Sequence, residues 1–223
     1  MDQGVYGTGV VNRVKLSQVV ILAILMFVLL GVLGFFSDIE DSSTRSMADL
    51  DSDGTTEEYL LADYCLTIKE EGQVLWQSPD NWRIDSFALG DVNNDGIVNL
   101  VITLWKTGNF GPVKPFWYPS EDVGYKNHLF VYRLKDKGMK QVWCSSNLDR
   151  PIVSFTIQDI VEDNLFELVV EEGQYRKIAE ERYALDTFSQ VRTAVWRWDE
   201  WGFRLISPKL SSCSMKGRLY SYC

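Results

Sequence analysis

The sequence predicts a mainly β protein that carries a single transmembrane helix near its start. One long uncharged apolar segment occurs, at 19–36. The rest of the chain is rich in aromatic residues, which make up 13% of the sequence and include 8 Trp, and such residues favour the half-buried surface of a sheet. An acidic turn followed by an apolar, strand-like run also recurs three times. We therefore expect one N-terminal helix followed by a domain of about three antiparallel units.

The apolar segment reads VVILAILMFVLLGVLGFF. As a helix rising about 1.5 Å per residue, it spans roughly 27 Å, close to the thickness of about 30 Å of a bilayer core. We predict a transmembrane helix at 18–37. A cleaved signal peptide is the alternative, but its apolar region usually holds only about 7–15 residues. The segment here also ends in Gly-Phe-Phe-Ser at 34–37, which is a poor cleavage site.

Charges on either side of the helix predict its orientation. Arg13 and Lys15 precede it, whereas three acidic residues follow it within 38–41. Basic segments stay on the cytoplasmic side of a membrane. We therefore expect a cytoplasmic tail at 1–17, a short linker at 38–46 and a large extracytoplasmic domain, which makes this a single-pass protein of the cell membrane.

The net charge is −9, and because the first 37 residues sum to about +1, the rest of the chain carries about −10. An acidic domain repels phosphate backbones, so nucleic acid is not expected as a partner. The membrane and other membrane or envelope proteins are the partners that the sequence favours, and an acidic surface suits cation binding.

The recurring pattern defines a structural unit. Its copies occur at Met47–Tyr64, Ala88–Trp105 and Thr156–Gly173, and each copy is followed by a hairpin with a charged turn and then by a Ser- or Pro-containing turn. The second and third copies are about 68 residues apart. A repeat of this size with about four short strands is typical of a propeller blade. We predict a propeller-like domain at 47–208 and a C-terminal tail at 209–223.

The acidic turn of the second copy has the spacing of a calcium loop. Oxygen-bearing side chains stand at positions 1, 3, 5 and 9 of 91–99, with glycine at position 6 and a backbone carbonyl at position 7. Calcium takes six to eight oxygens, and glycine permits the sharp turn. The residue at position 12 is Ile102 rather than Glu, so the loop is not an EF-hand. The predicted ligands are Asp91, Asn93, Asp95, Asn99 and, through its carbonyl, Ile97.

The first copy carries more charge in the same pattern. Its predicted ligands are Asp49, Asp51, Asp53 and Glu57. An acidic, solvated linker just outside the membrane is the alternative interpretation of this segment.

The third copy departs from the pattern at two positions. Asp159, Asp163 and Glu167 are kept, but Val161 has no ligand oxygen and Asn164 replaces the glycine. We expect this copy to keep the turn without a metal ion.

The segments ALGDVNNDGIVNLVI and MADLDSDGTTEEYLL resemble FG-GAP/VCBS-type repeats, the calcium-loop blades of integrin-α-like propellers. The resemblance covers roughly 46–208. It implies a β-propeller or propeller-like fold with a structural calcium site at 91–99. Closed propellers have at least about four blades, so three units imply an open domain, closure by insertions, or completion by a partner.

Four cysteines, Cys65, Cys144, Cys213 and Cys223, are compatible with disulfides outside the cytoplasm. Pairing Cys213 with Cys223 closes the shortest loop and would leave Cys65 with Cys144. Free buried thiols are the alternative.

Two insertions interrupt the repeats. The first, at 108–119, carries three prolines and four aromatic residues. Rigid aromatic loops suit partner contacts, although they also cover sheet edges. The second, at 175–192, places Ile178, Arg182 and Leu185 at helical spacing and could form a helix. The predicted partner-binding residues are Phe110, Phe116, Trp117 and Tyr118.

The sequence favours a protein that is not an enzyme. His128 is the only histidine, and neither a G-x-S-x-G motif nor a phosphate-binding glycine loop occurs. We expect a membrane-anchored binding or scaffold module, an accessory subunit of a membrane assembly, with loops stabilised by calcium. The alternatives are an envelope glycan hydrolase that uses paired carboxylates and a calcium-dependent, adhesin-like sensor.

Overall fold

The computed structural model describes residues 43–110, 116 and 121–206, and this part of the chain is mainly β. It contains fourteen strands and no helix. Accordingly, none of its elements is a helix long and apolar enough to cross a bilayer. The predicted transmembrane helix at 18–37 and the predicted tails at 1–17 and 209–223 lie outside the described residues.

The first sheet is an antiparallel meander in which neighbours in sequence are neighbours in space. Its inner strands alternate between buried and half-buried residues, because successive side chains of a strand point to opposite faces. The first strand begins inside the predicted linker. The strands are β1 (Thr44–Ala48), β2 (Glu57–Ala62), β3 (Cys65–Glu70) and β4 (Gln73–Gln77).

The second sheet repeats this order with longer strands. The strands are β5 (Arg83–Gly90), β6 (Asn99–Thr107), β7 (Tyr125–Lys135) and β8 (Gly138–Cys144). All residues of β6 except Thr107 are buried, which explains its nearly continuous apolar sequence.

The third sheet is again an antiparallel meander, with a hairpin inserted between its second and third strands. Its strands are β9 (Ile152–Gln158), β10 (Glu167–Glu172), β13 (Arg192–Asp199) and β14 (Gly202–Ile206), and the inserted hairpin is β11 (Tyr175–Ala179) with β12 (Arg182–Leu185). The hairpin reaches the second sheet, where Arg182 pairs with Tyr125.

The helical interpretation of the second insertion is therefore wrong. Tyr175 and Tyr183 lie on paired strands with ring centroids 5.8 Å apart, and the ammonium of Lys126 on β7 lies 5.0 Å and 4.8 Å from the two centroids. Aromatic pairs and cation–π contacts across a sheet outweigh a helical spacing of three residues.

The central strand β6 divides the apolar core into two clusters. Its residues Leu100, Ile102 and Leu104 belong to a cluster shared with the first sheet, whereas Val101 belongs to a cluster shared with the third sheet. The second sheet therefore lies between the other two. The three acidic turns occupy equivalent places, because each connects the first two strands of its sheet.

Candidate metal centre in the acidic loops

We call the three acidic turns loop 1 (49–57), loop 2 (91–99) and loop 3 (159–167). Each begins with an aspartate that shapes the turn, since its carboxylate accepts the backbone N–H five residues later. The distances are 3.1 Å at Asp49, 2.8 Å at Asp91 and 2.8 Å at Asp159. The residue at position 6 has a positive φ in every loop, 93° and 84° at glycine and 64° at Asn164. Asparagine tolerates this region, which is why loop 3 keeps the turn without glycine.

Loop 1 brings its four predicted ligands together. One carboxylate oxygen from each of Asp49, Asp51, Asp53 and Glu57 lies within 4.8 Å of the others. This group could hold a metal ion.

Glu57 is the buried member of the group, with none of its surface exposed. Its Oε2 accepts hydrogen bonds from the Leu50 N–H at 2.8 Å and from the Tyr59 hydroxyl at 3.3 Å. Its Oε1 is buried without a hydrogen-bond partner among the described residues. Burial raises the pKa of Glu57, and the charge of Asp51 raises it further. The hydrogen bond from the Leu50 N–H lowers this pKa, but by less than burial raises it. A buried, unpartnered carboxylate oxygen is costly unless a proton or a cation satisfies it.

A fifth carboxylate faces loop 1 from the neighbouring strand. Glu70 on β3 pairs directly with Glu57 on β2, and opposite residues of an antiparallel pair present their side chains on the same face. Glu70 is buried, its Oε2 accepts a hydrogen bond from Lys137, and its Oε1 has no partner in the described part of the chain. Lys137 belongs to the β7–β8 turn, which lines a cavity of about 640 Å³ together with loop 1.

In loop 2 a carboxylate forms an ion pair with an arginine. An Nη2 of Arg133 lies 2.5 Å from Oδ2 of Asp95, which also accepts a hydrogen bond from the Asn93 amide at 3.0 Å. Burial alone would raise the pKa of Asp95, but the hydrogen bonds from Arg133, Asn93 and the Ile97 N–H hold it below its ordinary value. Asn99 is fully buried, and neither of its side-chain polar atoms finds a partner among the described residues. Loop 2 thus keeps ligand oxygens but already holds a positive charge.

In loop 3 an arginine contacts two carboxylates, whereas the arginine of loop 2 contacts one. Arg197 donates to Oε1 of Glu167 from Nε at 2.6 Å, and its Nη1 and Nη2 reach the two oxygens of Asp163 at 2.8 Å and 3.0 Å. The second oxygen of Glu167 accepts the Ile160 N–H at 3.0 Å. Every carboxylate at positions 1, 5 and 9 of loop 3 therefore has a hydrogen-bond donor.

Polar contacts join the two ends of the first insertion. The buried ammonium of Lys106 donates to the carbonyls of Gly108 and Phe110, and Asp122 accepts the N–H groups of Asn109 and Phe110 at 2.7 Å and 3.0 Å. Burial lowers the pKa of Lys106. These contacts hold both ends of the insertion together.

The aromatic residues predicted for partner binding are only partly described. Phe110 is half-buried near these polar contacts, whereas Phe116 is 94% exposed. Trp117 and Tyr118 lie outside the described residues. Their partner-binding role stays a prediction.

Cys65 and Cys144 are free thiols, and Cys213 and Cys223 lie outside the described residues. The thiol of Cys65 accepts a hydrogen bond from the Gln77 amide at 3.1 Å. Burial raises the pKa of Cys144 to about 11, so this thiol is protonated and unreactive at neutral pH.

His128 is a structural residue of β7. It is fully buried, and its Nδ1 lies 3.2 Å from the Ser145 carbonyl. Burial and the nearby charge of Lys106 lower its pKa to about 4. The imidazole is therefore neutral at pH 7.

Sequence reasoning missed the residues that face the loops from the neighbouring strand. Arg133 and Arg197 occupy matching places in RLKDKG and RWDEWG, so an alignment of the second and third hairpins could have paired them. Glu70 stands closer to its hairpin glycine, in KEEG, because the corresponding turn is shorter. Only the strand register reveals that it is equivalent.

Comparison of the chain with protein-family models, with curated proteins and with solved structures gives no match.

Proposed function

We propose that this chain is a membrane-anchored, extracytoplasmic binding or scaffold module, not an enzyme, whose loop 1 binds a calcium ion. The observation that carries the metal site is the buried, unpartnered Oε1 of Glu57 within a group of four carboxylates. In this proposal the ion neutralises loop 1 and stabilises the first sheet.

The ligand chemistry of loop 1 suits calcium. Its side-chain ligands are all carboxylates, and hard oxygen ligands select calcium or magnesium over zinc or copper. Magnesium demands a near-ideal octahedron and keeps most of its water, whereas calcium accepts six to eight oxygens in a flexible shell. A nine-residue loop with partly exposed carboxylates offers flexible ligands, which favours calcium.

The sheet arrangement supports a propeller-like domain of the FG-GAP/VCBS type. Three four-stranded meanders carry an acidic turn at the same place. Three blade-like units are fewer than the roughly four that a closed propeller needs. This shortfall supports completion by another membrane or envelope protein, and the segment at 18–37 would keep the domain beside such a partner.

The partner half of the proposal predicts a defined assembly. Extraction of the full chain from its own membrane in mild detergent should yield a complex of reproducible composition. A monodisperse monomer under the same conditions would contradict it.

One cavity among the described residues lacks the pair of free carboxylates that a glycan hydrolase uses. A hydrolase of this kind needs two carboxylates that are free to act across a cleft. An aromatic cavity of about 300 Å³ is lined by Trp143, Trp196, Asp149 and Glu172. Glu172, however, is held by Arg192 at 2.6 Å. Only one of the two carboxylates that line this cavity is therefore available for chemistry.

Calcium binding is tested by thermal unfolding of the full chain in mild detergent, after treatment with a chelator. A ligand at about 100 times its Kd adds about 2.7 kcal/mol, which for a domain of this size corresponds to a rise in Tm of roughly 5–10 °C. Glu57→Gln should abolish the rise. Glu58→Gln is the matched control, since Glu58 follows on the same strand but pairs with Arg45. An unchanged Tm of the wild-type chain in millimolar calcium would refute the site.

A further inference from the structure

We propose that the residue opposite position 9 decides how each acidic loop is neutralised. Arg133 and Arg197 replace a metal ion in loops 2 and 3, whereas Glu70 leaves loop 1 as the only one of the three that binds calcium. The inference rests on the proposed function for loop 1 alone. It reverses the sequence-based preference for 91–99 as the calcium site.

The strand register shows that the three residues are equivalent. Glu57 pairs with Glu70 between β2 and β3, and Glu167 pairs with Arg197 between β10 and β13. In the second sheet Leu100 pairs with Tyr132. The same register places the next residue, Arg133, opposite Asn99. Glu70, Arg133 and Arg197 therefore each lie on the strand that pairs with the strand following the loop, opposite position 9 of that loop.

In loop 3 the guanidinium occupies the place where a metal ion would be ligated. It contacts the carboxylates at positions 5 and 9, Asp163 and Glu167. A guanidinium presents five donors in a fixed plane and stays charged at any accessible pH. Displacing Arg197 would leave it without these partners, so a metal ion gains little by entering.

Loop 2 is an intermediate case. Arg133 contacts position 5 only, through Asp95, and its Nε has no partner in the described part of the chain. The side-chain oxygens of Asn93 and Asn99 are buried and likewise without a hydrogen-bond partner there. The ligand oxygens of a calcium loop are thus in place, and the single charge of Arg133 is what opposes a divalent cation.

Among the described residues no arginine forms an ion pair with a carboxylate of loop 1, although Arg133 lines the cavity beside this loop. A lysine from the next sheet contacts Glu70 instead, and the side chain of this lysine, Lys137, is 60% exposed. No arginine therefore neutralises the four carboxylates of loop 1, and Glu70 places a fifth carboxylate beside them. Loop 1 is the loop in which a divalent ion gains most.

Calcium titration of the chelator-treated full chain, by calorimetry in mild detergent, tests the rule through the number of sites. The wild-type chain should bind one calcium ion. Arg133→Ser should bind two, because loop 2 loses its positive charge but keeps its oxygens. Arg204→Ser is the matched control and should bind one, since Arg204 pairs with Asp199 on an exposed hairpin. The double variant Arg133→Ser/Asp95→Asn should return to one.

Glu70→Arg makes the converse test in loop 1. The new guanidinium should neutralise the carboxylates, abolish calcium binding, and leave the Tm in chelator at or above that of the wild-type chain. Two or more sites in the wild-type chain, or one site in a folded Arg133→Ser chain, would overturn the rule. Unchanged calcium affinity in Glu70→Arg would overturn it as well. No binding by the wild-type chain would instead refute the proposed calcium site.

Discussion

Loops 1 and 3 have the same turn but opposite means of neutralising it. In both, an aspartate at position 1 accepts the N–H five residues later, and a fully buried glutamate stands at position 9. Loop 3 receives four hydrogen bonds from Arg197, whereas the corresponding residue of loop 1 is the acid Glu70. One residue on a neighbouring strand thus separates a loop whose carboxylates are held by an arginine from a loop in which an acid stands at the same place.

The difference is visible in the ionisation of the two loops. The hydrogen bonds from Arg197 hold the pKa of Asp163 below its ordinary value. Burial and the charge of Asp51 raise the pKa of Glu57. Charge is therefore favourable in loop 3 and unfavourable in loop 1 without an ion.

The largest expected effect comes from removing the arginine of loop 3. Arg197→Met leaves Glu167 buried without its charged partner, and breaking a buried ion pair in this way costs about 3–5 kcal/mol. Urea unfolding should show this loss in the midpoint. Calcium should not restore it, because Val161 supplies no ligand oxygen at position 3.

Arg204→Met provides the scale for this effect. Arg204 and Asp199 are both well exposed, and such a pair contributes about 0–1 kcal/mol. Equal losses in the two variants would show that Arg197 does not neutralise loop 3.

The sequence predicted the β class, the three repeats and the acidic turns, because glycine, aspartate and alternating apolar residues act locally. Asp49, Asp51, Asp53 and Glu57 were also identified as one group, since they lie within nine residues. The partners across the strands were not predictable in the same way. Glu70 and Arg197 reach their loops only through antiparallel pairing, and the register depends on hairpin lengths that differ between the repeats. The helical spacing at 178–185 failed because aromatic contacts to β7 determine that insertion.

The second prediction concerns acid and sharpens the contrast between the loops. The pKa of Glu57 is higher in the folded chain than its ordinary value of 4.5, so the folded state binds the proton more tightly than the unfolded state. The resulting stability is fully present below about pH 4.5 and is lost as the pH rises through the folded pKa. Asp163 behaves oppositely: its contribution is present above about pH 3.8 and is lost as the pH falls through its lowered pKa.

Glu57→Gln isolates the contribution of loop 1. In chelator at pH 7 the variant should unfold at a higher temperature than the wild-type chain, by roughly 2–4 °C, which corresponds to about 1 kcal/mol for one removed repulsive charge. The difference should shrink as the pH falls and vanish well below pH 4.5, where Glu57 is protonated in both the folded and the unfolded state. A constant difference from pH 4 to pH 7 would contradict a raised pKa of Glu57.

The smallest expected effect concerns Lys137, a lysine of the second sheet that lines the cavity beside loop 1. Lys137 donates to Glu70, and the charge of Asp53 also acts on it. Its positive charge opposes an incoming divalent ion, so Lys137→Met should tighten calcium binding, by roughly three- to tenfold in low salt, and by less in high salt because the lysine is exposed. Lys177→Met is the matched control, since Lys177 lies on β11 and does not line the cavity beside loop 1. Weaker calcium binding in Lys137→Met would mean that Lys137 orients Glu70 for the ion rather than competing with it, and the contrast with Arg197 would then be one of geometry instead of charge.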